Sequence, residues 1–318
     1  MALNIKRGKV ARAQKVALYG PEGIGKSTLA AQFPDPLFVD TEGGTAHLDV
    51  ARVDPAPKTW EELLSVLKEV IADPSICKTL IIDTMDWAEQ LIIEYLLRKY
   101  GMSSIEAFGY GKGYTYIGEE AAKMLALLDQ VKDAGIHVVI TAHAKMRKFE
   151  QPDEVGAYDR WEMKLSRQVA PLVKEWCDHL FFCNYQTLVV EVGENKTKKA
   201  QGGKRVIYTA HRPVWDAKTR ADLPERVDMD YEKISHIFAS NIPKAKNRRE
   251  ILADMMAESN ITEKDLVDLI HEKKLEAVDR TTLAAMPDDR IDWAIKWWRQ
   301  ILDVITTNKK KAEVKTNE

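Results

Sequence analysis

Apolar positions along this chain fall into two alternating textures. Short runs of four or five recur at 16–19, 37–40, 80–83 and 137–141, with the length and density of strands buried on both faces. Between them Trp60, Leu63, Leu64, Leu67, Val70 and Ile71 return at helical spacing and share one face. Strand alternating with helix predicts an α/β fold around a mostly parallel sheet. Past about residue 180 the texture changes. LFFCN, TLVVEV and RVIYTA read as strands, and the last two flank GENKTKKAQGGK, which predicts a hairpin with a long basic loop carrying Lys196, Lys198, Lys199, Lys204 and Arg205. The predicted core spans 15–240, after a basic arm over 1–14. A polar connector over 241–249 leads to a small all-helical C-terminal module over 250–306, where Thr262 is placed to cap a helix through Leu266, Leu269 and Ile270. Trp293, Trp297 and Trp298 fall near one helical face and are expected in that module's core, and the charged stretch 307–318 is expected to be disordered.

With 318 residues and 45% hydrophobic content, the chain can bury a sizeable core. A net charge of −2 provides no global attraction to nucleic acid or to anionic membrane, so such contacts must rest on local clusters. Three cysteines make no even disulfide framework, and no stretch is long and apolar enough for a signal peptide or a membrane span. A cytoplasmic protein without membrane contact is expected. Cys177, His179 and Cys183 lack paired metal-ligand spacing and are expected to pack in the core.

Chemistry enters at Gly20, Pro21, Glu22, Gly23, Ile24, Gly25, Lys26 and Ser27, which fit G-x-x-x-x-G-K-[ST] and run on through Thr28. The stretch follows a predicted strand and opens a helix, the context that a phosphate-binding loop requires. Glycines let backbone N–H groups curl around phosphate oxygens. Lys26 would reach the β and γ phosphates, and Ser27 would hold Mg2+. A second metal position is expected at the end of a buried strand, and TLIID supplies Asp83. Thr84, not a glutamate, follows it. The carboxylate able to orient a water is instead expected at Glu42, just past LFVD, with Asp86 as its competitor.

LFVDTEGG, TLIIDT and HVVITAH together resemble the RecA/RadA recombinase core, and the span from ALYGPEGIGKS to LFVDTEGG is similar to phage-encoded RecA-like nucleotide-binding proteins, a group that includes single-strand annealing proteins. The resemblance covers about residues 14 to 240 and implies a RecA-like P-loop NTPase that binds ATP with Mg2+ and hydrolyses it. Glu42 would be the catalytic base, and His143 would stand where the family carries a γ-phosphate sensor, usually Gln. Lys218 and Arg220, shortly before Pro224, match basic residues that reach a neighbouring subunit's ATP. That match implies a homo-oligomer, ring or filament, with ATP at its interfaces.

Single strands are held by cationic grooves with aromatic platforms. Tyr110, Lys112 and Tyr114 stand in a ring-glycine-cation alternation predicted to be a loop. Lys145, Arg147 and Lys148 precede Tyr158, Arg160, Trp161, Lys164 and Arg167, with a helix expected from about Trp161. Both stretches follow the core strands after which RecA-like proteins carry their DNA-binding loops. The resemblance thus implies a recombination protein that binds single-stranded DNA, works in annealing or strand pairing, and has an ATPase stimulated by that DNA. If phage-encoded, it would work in a bacterial host's cytoplasm. The C-terminal module would dock a single-strand-binding or other replication protein. The alternative is a nucleotide-gated loader or regulatory ATPase that acts on a protein partner without touching DNA.

Overall fold

The computed structural model describes residues 7–8, 10–150, 156–186, 188–192, 197–201, 203–239, 248–273 and 282–316. Its contacts divide the chain into two compact units, Met1–Lys244 and Ala245–Glu318. Residues 240–247, which hold most of the expected connector, lie outside the described residues, as does Lys196.

The first unit begins with β1 (Lys15–Gly20), α1 (Lys26–Ala30), β2 (Pro36–Asp40), the two-residue β3 (Ala51–Arg52) and α2 (Trp60–Ala72). It continues through β4 (Thr79–Asp83), α3 (Met85–Tyr100), α4 (Lys112–Asp133), β5 (His137–Glu150) and β6 (Ala157–Met163). Then come α5 (Val169–Trp176), β7 (His179–Tyr185), β8 (Leu188–Val192), β9 (Thr197–Gln201), β10 (Arg205–Tyr208) and β11 (Arg226–Asp228). Among the described residues nine strands make one sheet in the order β11-β10-β7-β1-β5-β4-β2-β3, with β6 paired to β5. From β7 to β3 that path is parallel. β10 joins β7 antiparallel and β11 joins β10 antiparallel. The four strands expected from the apolar runs, β1, β5, β4 and β2, lie side by side in the middle of this α/β sheet.

Both faces of the central strands are covered, which is why they read as continuous apolar runs rather than alternations. Ala17, Tyr19, Leu80, Ile82, Val138 and Ile140 pack with Leu63, Leu67, Ile92, Met124 and Leu128 from the helices of one face. Val16, Leu18, Phe38, Ile81 and Val139 meet Leu29, Phe33, Ile234 and Phe238 on the other. Thr59 caps α2 by accepting from the Glu62 N–H at 3.2 Å, and the buried Trp60 indole at that end donates to Glu120 of α4 at 3.1 Å.

Four local expectations change. The arm does not run free to residue 14. Arg12 pairs with the buried Asp178 at 2.7 Å, Ala13 is buried, and the Gln14 N–H donates to His137 Nδ1 at 3.0 Å. The predicted hairpin has a different partner, since β8 pairs with β9, a strand formed inside the basic stretch, while β10 returns to the main sheet. No helix starts near Trp161. β5 runs on past the sheet and pairs with β6 as an antiparallel ribbon from Ala144↔Met163 to Glu150↔Ala157, and the next helix begins at Val169. The loop expected around Tyr110 is shorter than predicted, because α4 already starts at Lys112 and takes Lys112 and Tyr114 into its first turn.

The second unit holds α6 (Arg248–Glu258), α7 (Glu263–Glu272), α8 (Asp288–Lys296) and α9 (Trp298–Thr316). Thr262 and Asp265 form a capping box at the start of α7. Leu252, Leu266, Ile270, Ile291 and Ile301 centre its core. Of the tryptophan stripe, Trp298 is buried, Trp293 packs against the core from its edge, and Trp297 is 43% exposed. Helix α9 continues to Thr316, across most of the stretch expected to be disordered. Among the described residues no helix is long and apolar enough to cross a membrane.

A direct check on the packing around β1 is Gly20. A Cβ there would stand 2.1 Å from the main-chain oxygen of Cys183 on β7, whereas one at Gly44 would meet nothing within 4 Å. Gly20→Ala is expected to cost about 1–3 kcal/mol of stability, the usual range for overpacking, and Gly44→Ala almost none. Thermal unfolding of both variants measures this.

Candidate functional site

The parallel strands end together, and the charged residues stand at their ends. Register places Gly20 of β1 opposite His143 of β5, and Asp40 of β2 opposite Asp83 of β4. Ligand sites in open parallel sheets form at this C-terminal edge.

The phosphate loop leaves β1 at Gly20 and turns back into α1. Gly23 and Gly25 have φ of +72° and +104°, values that L side chains rarely adopt. The turn closes through the Ile24 N–H donating to the Pro21 carbonyl at 3.4 Å. Lys26 is only 6% exposed. Its ammonium donates to the carbonyls of Gly20 at 3.1 Å and Pro21 at 3.0 Å. Burial pulls its pKa down, against the attraction of Asp86, Asp83 and Glu42. A buried cation surrounded by a backbone cradle and held mainly by neutral carbonyls fits phosphate oxygens, which would supply the missing countercharge. Ser27 is half-buried on the first turn of α1, and Thr28 is exposed beyond it.

Asp83 ends β4 at 2% exposure, and its carboxylate accepts from the Thr141 hydroxyl of β5. Ser27 and Asp83 are the residues that would hold Mg2+. The hydroxyl and carboxylate oxygens are hard donors suited to that ion.

Glu42 owes its place to Asp40. The buried Asp40 carboxylate accepts from the N–H groups of Gly43 at 2.7 Å, Gly44 at 3.2 Å and Thr45 at 3.0 Å, and from the Thr45 hydroxyl at 2.6 Å. Burial pushes this carboxyl's pKa up, yet the hydrogen bonds prevail and hold it below its ordinary value. The Thr41 and Glu42 N–H groups both donate to the Asp83 carbonyl, at 2.8 and 3.3 Å. The loop that carries Glu42 is thereby tied to the end of β4.

His143 stands among these groups at 7% exposure. Asp86 accepts from the His143 main-chain N–H at 3.0 Å, and its other oxygen lies 2.6 Å from the ring Nδ1. The ring's Nε2 is 3.8 Å from Glu42. Burial pushes the Glu42 carboxyl up, against the pull of His143. The Asp86 hydrogen bond pushes His143 up, with burial opposing it. Lys26, Asp83, Glu42 and His143, selected from the sequence, therefore meet at one edge. Asp86 is no free competitor to Glu42, because its carboxylate is committed to His143.

Two residues missed as site members also reach the loop. Arg205, expected on an exposed basic tip, sits on β10 with Nη1 3.4 Å from the Ile24 carbonyl. Lys164, just past β6, lies 3.5 Å from Glu22.

Lys218 and Arg220 lie elsewhere. Lys218 exchanges main-chain hydrogen bonds with Leu180 at the start of β7 and donates to the Glu175 carbonyl at 3.2 Å; Arg220 lies 3.4 Å from Asp178. This is the sheet's opposite end, away from the phosphate loop of the same chain.

Two open cavities lie beside the ribbon, one against α5 and one against the segment between β6 and α5. One of about 360 Å³ is lined by Arg147, Lys148, Phe149, Arg167 and Lys174 among others. One of about 470 Å³ brings together Tyr114, Lys145, Arg147 and Arg167. Tyr110 is fully exposed, and neither it nor Lys112 lines either cavity. Arg160 is committed inward, to Asp216 and the face of Phe149. Cys177 and Cys183 are buried, and His179 bonds Thr219 at 2.9 Å and Gln14 at 3.2 Å.

A family described as an AAA domain matches residues 12–221, well over half of the chain. No curated protein matches. Among solved structures, the chain is similar to a KaiC-like protein from the hyperthermophilic archaeon Pyrococcus horikoshii OT3, at 17% identity and a TM-score of 0.38. That likeness covers 67% of this chain and 84% of the other.

The Asp40 cradle gives a testable pH dependence. Because its folded pKa lies below the unfolded value near 3.8, the carboxylate's contribution is present above that value and is lost as pH falls through the folded pKa. Asp40→Ala is expected to cost about 1–3 kcal/mol near neutral pH. Denaturant unfolding across pH should show that gap narrowing only at acid pH, and a gap that grows on acidification would contradict the assignment.

Proposed function

Since this chain belongs to the AAA domain family and is a P-loop ATPase, we propose that it is a RecA-like recombination protein that binds single-stranded DNA and hydrolyses ATP at interfaces between its own copies. The observation that carries this reading is the continuity of β5, which holds His143 in the phosphate site and, two residues later, presents Lys145 to one of the two cavities beside the ribbon. A single rigid strand joins the two places where nucleotide and polyanion would be sensed.

ATP would lie on residues 20–28 with Lys26 against its phosphates. Mg2+ held by Ser27 and Asp83 would neutralise phosphate charge. Glu42 would take a proton from a water whose oxygen bonds to the γ-phosphorus as the bond to the β–γ bridging oxygen breaks, releasing ADP and phosphate. His143 would sense the γ-phosphate. Lys218 and Arg220, remote from their own chain's loop, would serve the ATP of a neighbouring copy and stabilise its transition-state charge.

The DNA site would use Lys145, Arg147, Lys148, Arg167 and Lys174 on the backbone, with Tyr114 and Phe149 as platforms for bases. Tyr110 and Lys112 would extend this face from the start of α4. The pairing of Lys164 with Glu22 links the ribbon's end to the phosphate loop and supports coupling between DNA and ATP. This work would be annealing or strand pairing in the cytoplasm, that of a bacterial host if the chain is phage-encoded. A second reading, a loader acting on a protein, draws on the C-terminal unit, where the exposed Trp297 borders a cavity of about 350 Å³ lined by Leu269, Trp293, Ile301 and Val304. There a single-strand-binding or other replication protein would dock.

Single-stranded DNA is expected to raise the steady-state ATPase rate. With one phosphate for each of five cations, the affinity should fall with a log–log salt slope of about −3.5. Charge reversal at Arg147 and Lys148 should remove the stimulation, and a rate indifferent to DNA in all salts would favour the loader. The trans role is tested by mixing. Lys26→Ala and Arg220→Ala are each expected to be nearly inert alone and to regain turnover together, because a mixed interface pairs an intact loop with an intact Arg220. No recovery on mixing would remove the trans assignment.

A further inference from the structure

A water-orienting carboxylate must be held in one place, yet Glu42 lies on a loop and about a third of its side chain is exposed, at 34%. The described ion-pair partner of its side chain is His143, whose Nε2 is 3.8 Å away. His143 itself is held twice. Asp86, at the start of α3, uses both carboxylate oxygens on this one residue, one for the main-chain N–H at 3.0 Å and one for Nδ1 at 2.6 Å. An acid serving only to favour a helix N-terminus would act as well from the surface, but Asp86 is 9% exposed. Burial of a carboxylate is costly unless its hydrogen bonds are made, and these two are made to a single partner. They fix both the position of the ring along β5 and its rotation.

We infer that Asp86 is a positioning residue for ATP hydrolysis, holding His143 by backbone and ring so that Nε2 faces Glu42 and keeps that carboxylate in place beside Lys26. The inference rests on the reading of Glu42 given above. The charged groups facing the ring are Asp86 from α3, Glu42 from the loop after β2 and Lys26 from α1. With Nδ1–H directed to Asp86, Nε2 donates toward Glu42 only while the ring is an imidazolium; a neutral ring would turn a lone pair on a carboxylate. Asp86 favours the imidazolium, with burial and Lys26 opposing it. Turnover should therefore decline on the alkaline side as pH rises through the raised pKa of His143.

The test is steady-state ATP hydrolysis by the full chain from about pH 5 to about pH 8, the range in which histidine titrates, for Asp86→Asn, His143→Gln and the double variant. Asp86→Asn is expected to lower kcat roughly 10- to 100-fold, the size of a misplaced catalytic group, to leave the KM for ATP unchanged, and to move the alkaline limb to lower pH. His143→Gln should lose that limb and lower kcat, and the double variant should be no worse than His143→Gln alone. A wild-type kcat and pH profile in Asp86→Asn, or losses that add in the double variant, would overturn the inference. If Asp86→Asn does not fold, His143→Gln decides alone, with a wild-type rate and limb as the contrary result. Glu42→Gln keeps the two readings apart. Full turnover there moves the base elsewhere, while non-additivity between Asp86 and His143 is read independently.

Discussion

Parallel strands cannot end in register without bringing their terminal side chains together, and the phosphate site depends on that constraint. β1, β5, β4 and β2 are neighbours, and their last residues include Gly20, Asp83 and Asp40, with His143 opposite Gly20. A slip of one residue in any pair would exchange the residues sent into the two hydrophobic layers and carry the terminal site residues out of line with one another. The two apolar layers oppose such a slip, because each central strand sends alternate residues into each layer. Buried charge is tolerated at this edge because the groups answer one another. Asp86 answers His143, Thr141 answers Asp83, and the Gly43–Thr45 turn answers Asp40. Lys26 has its two loop carbonyls and three nearby carboxylates.

β5 extends the consequence outward. Its first seven residues are buried in the sheet, and the rest alternate between covered and open positions as the ribbon leaves the core. On the ribbon Arg147 and Lys148 face a cavity, while Arg160, opposite Arg147, turns inward to Asp216, a carboxylate that also takes Lys174 and His211. Asp216 lies two residues before Lys218 on the segment that continues to Arg220. The cationic cavities and the basic residues at the far end of the sheet are thus joined through one acid.

Most of the phosphate site was legible because its signals are local. The glycine and lysine spacing of the loop, an acid at the end of an apolar run, and Glu42 just past another depend on a few consecutive residues. The partnership of Asp86 with His143 joins positions 57 apart, and nothing in either neighbourhood marks the other. Arg205 was obscured in the same way, since its contact with Ile24 spans 181 positions. The ribbon was misread because the charges after Trp161 suit a solvated helix as well as an open strand, and antiparallel pairing with β5 decided between them. β9 (TKKAQ) has almost no apolar alternation, so its pairing with β8 could not be seen and the hairpin was assigned to the wrong strand. The start of α4 was missed because Gly111 and Gly113 suggest a loop. In the folded chain Gly113 instead gives close packing, with a Cβ there falling 2.5 Å from the Ile105 carbonyl oxygen.

In the function proposed above, one strand, β5, would couple the phosphate site to a nucleic-acid site. The most direct measurement is the affinity of the full chain for a labelled single-stranded oligonucleotide at fixed salt, once with a non-hydrolysable ATP analogue and once with ADP. Binding that is clearly tighter in the triphosphate state, matched by a reciprocal gain in analogue affinity when DNA is present, is expected if β5 couples the two sites. Equal affinity in the two nucleotide states, or no binding in either, would contradict it.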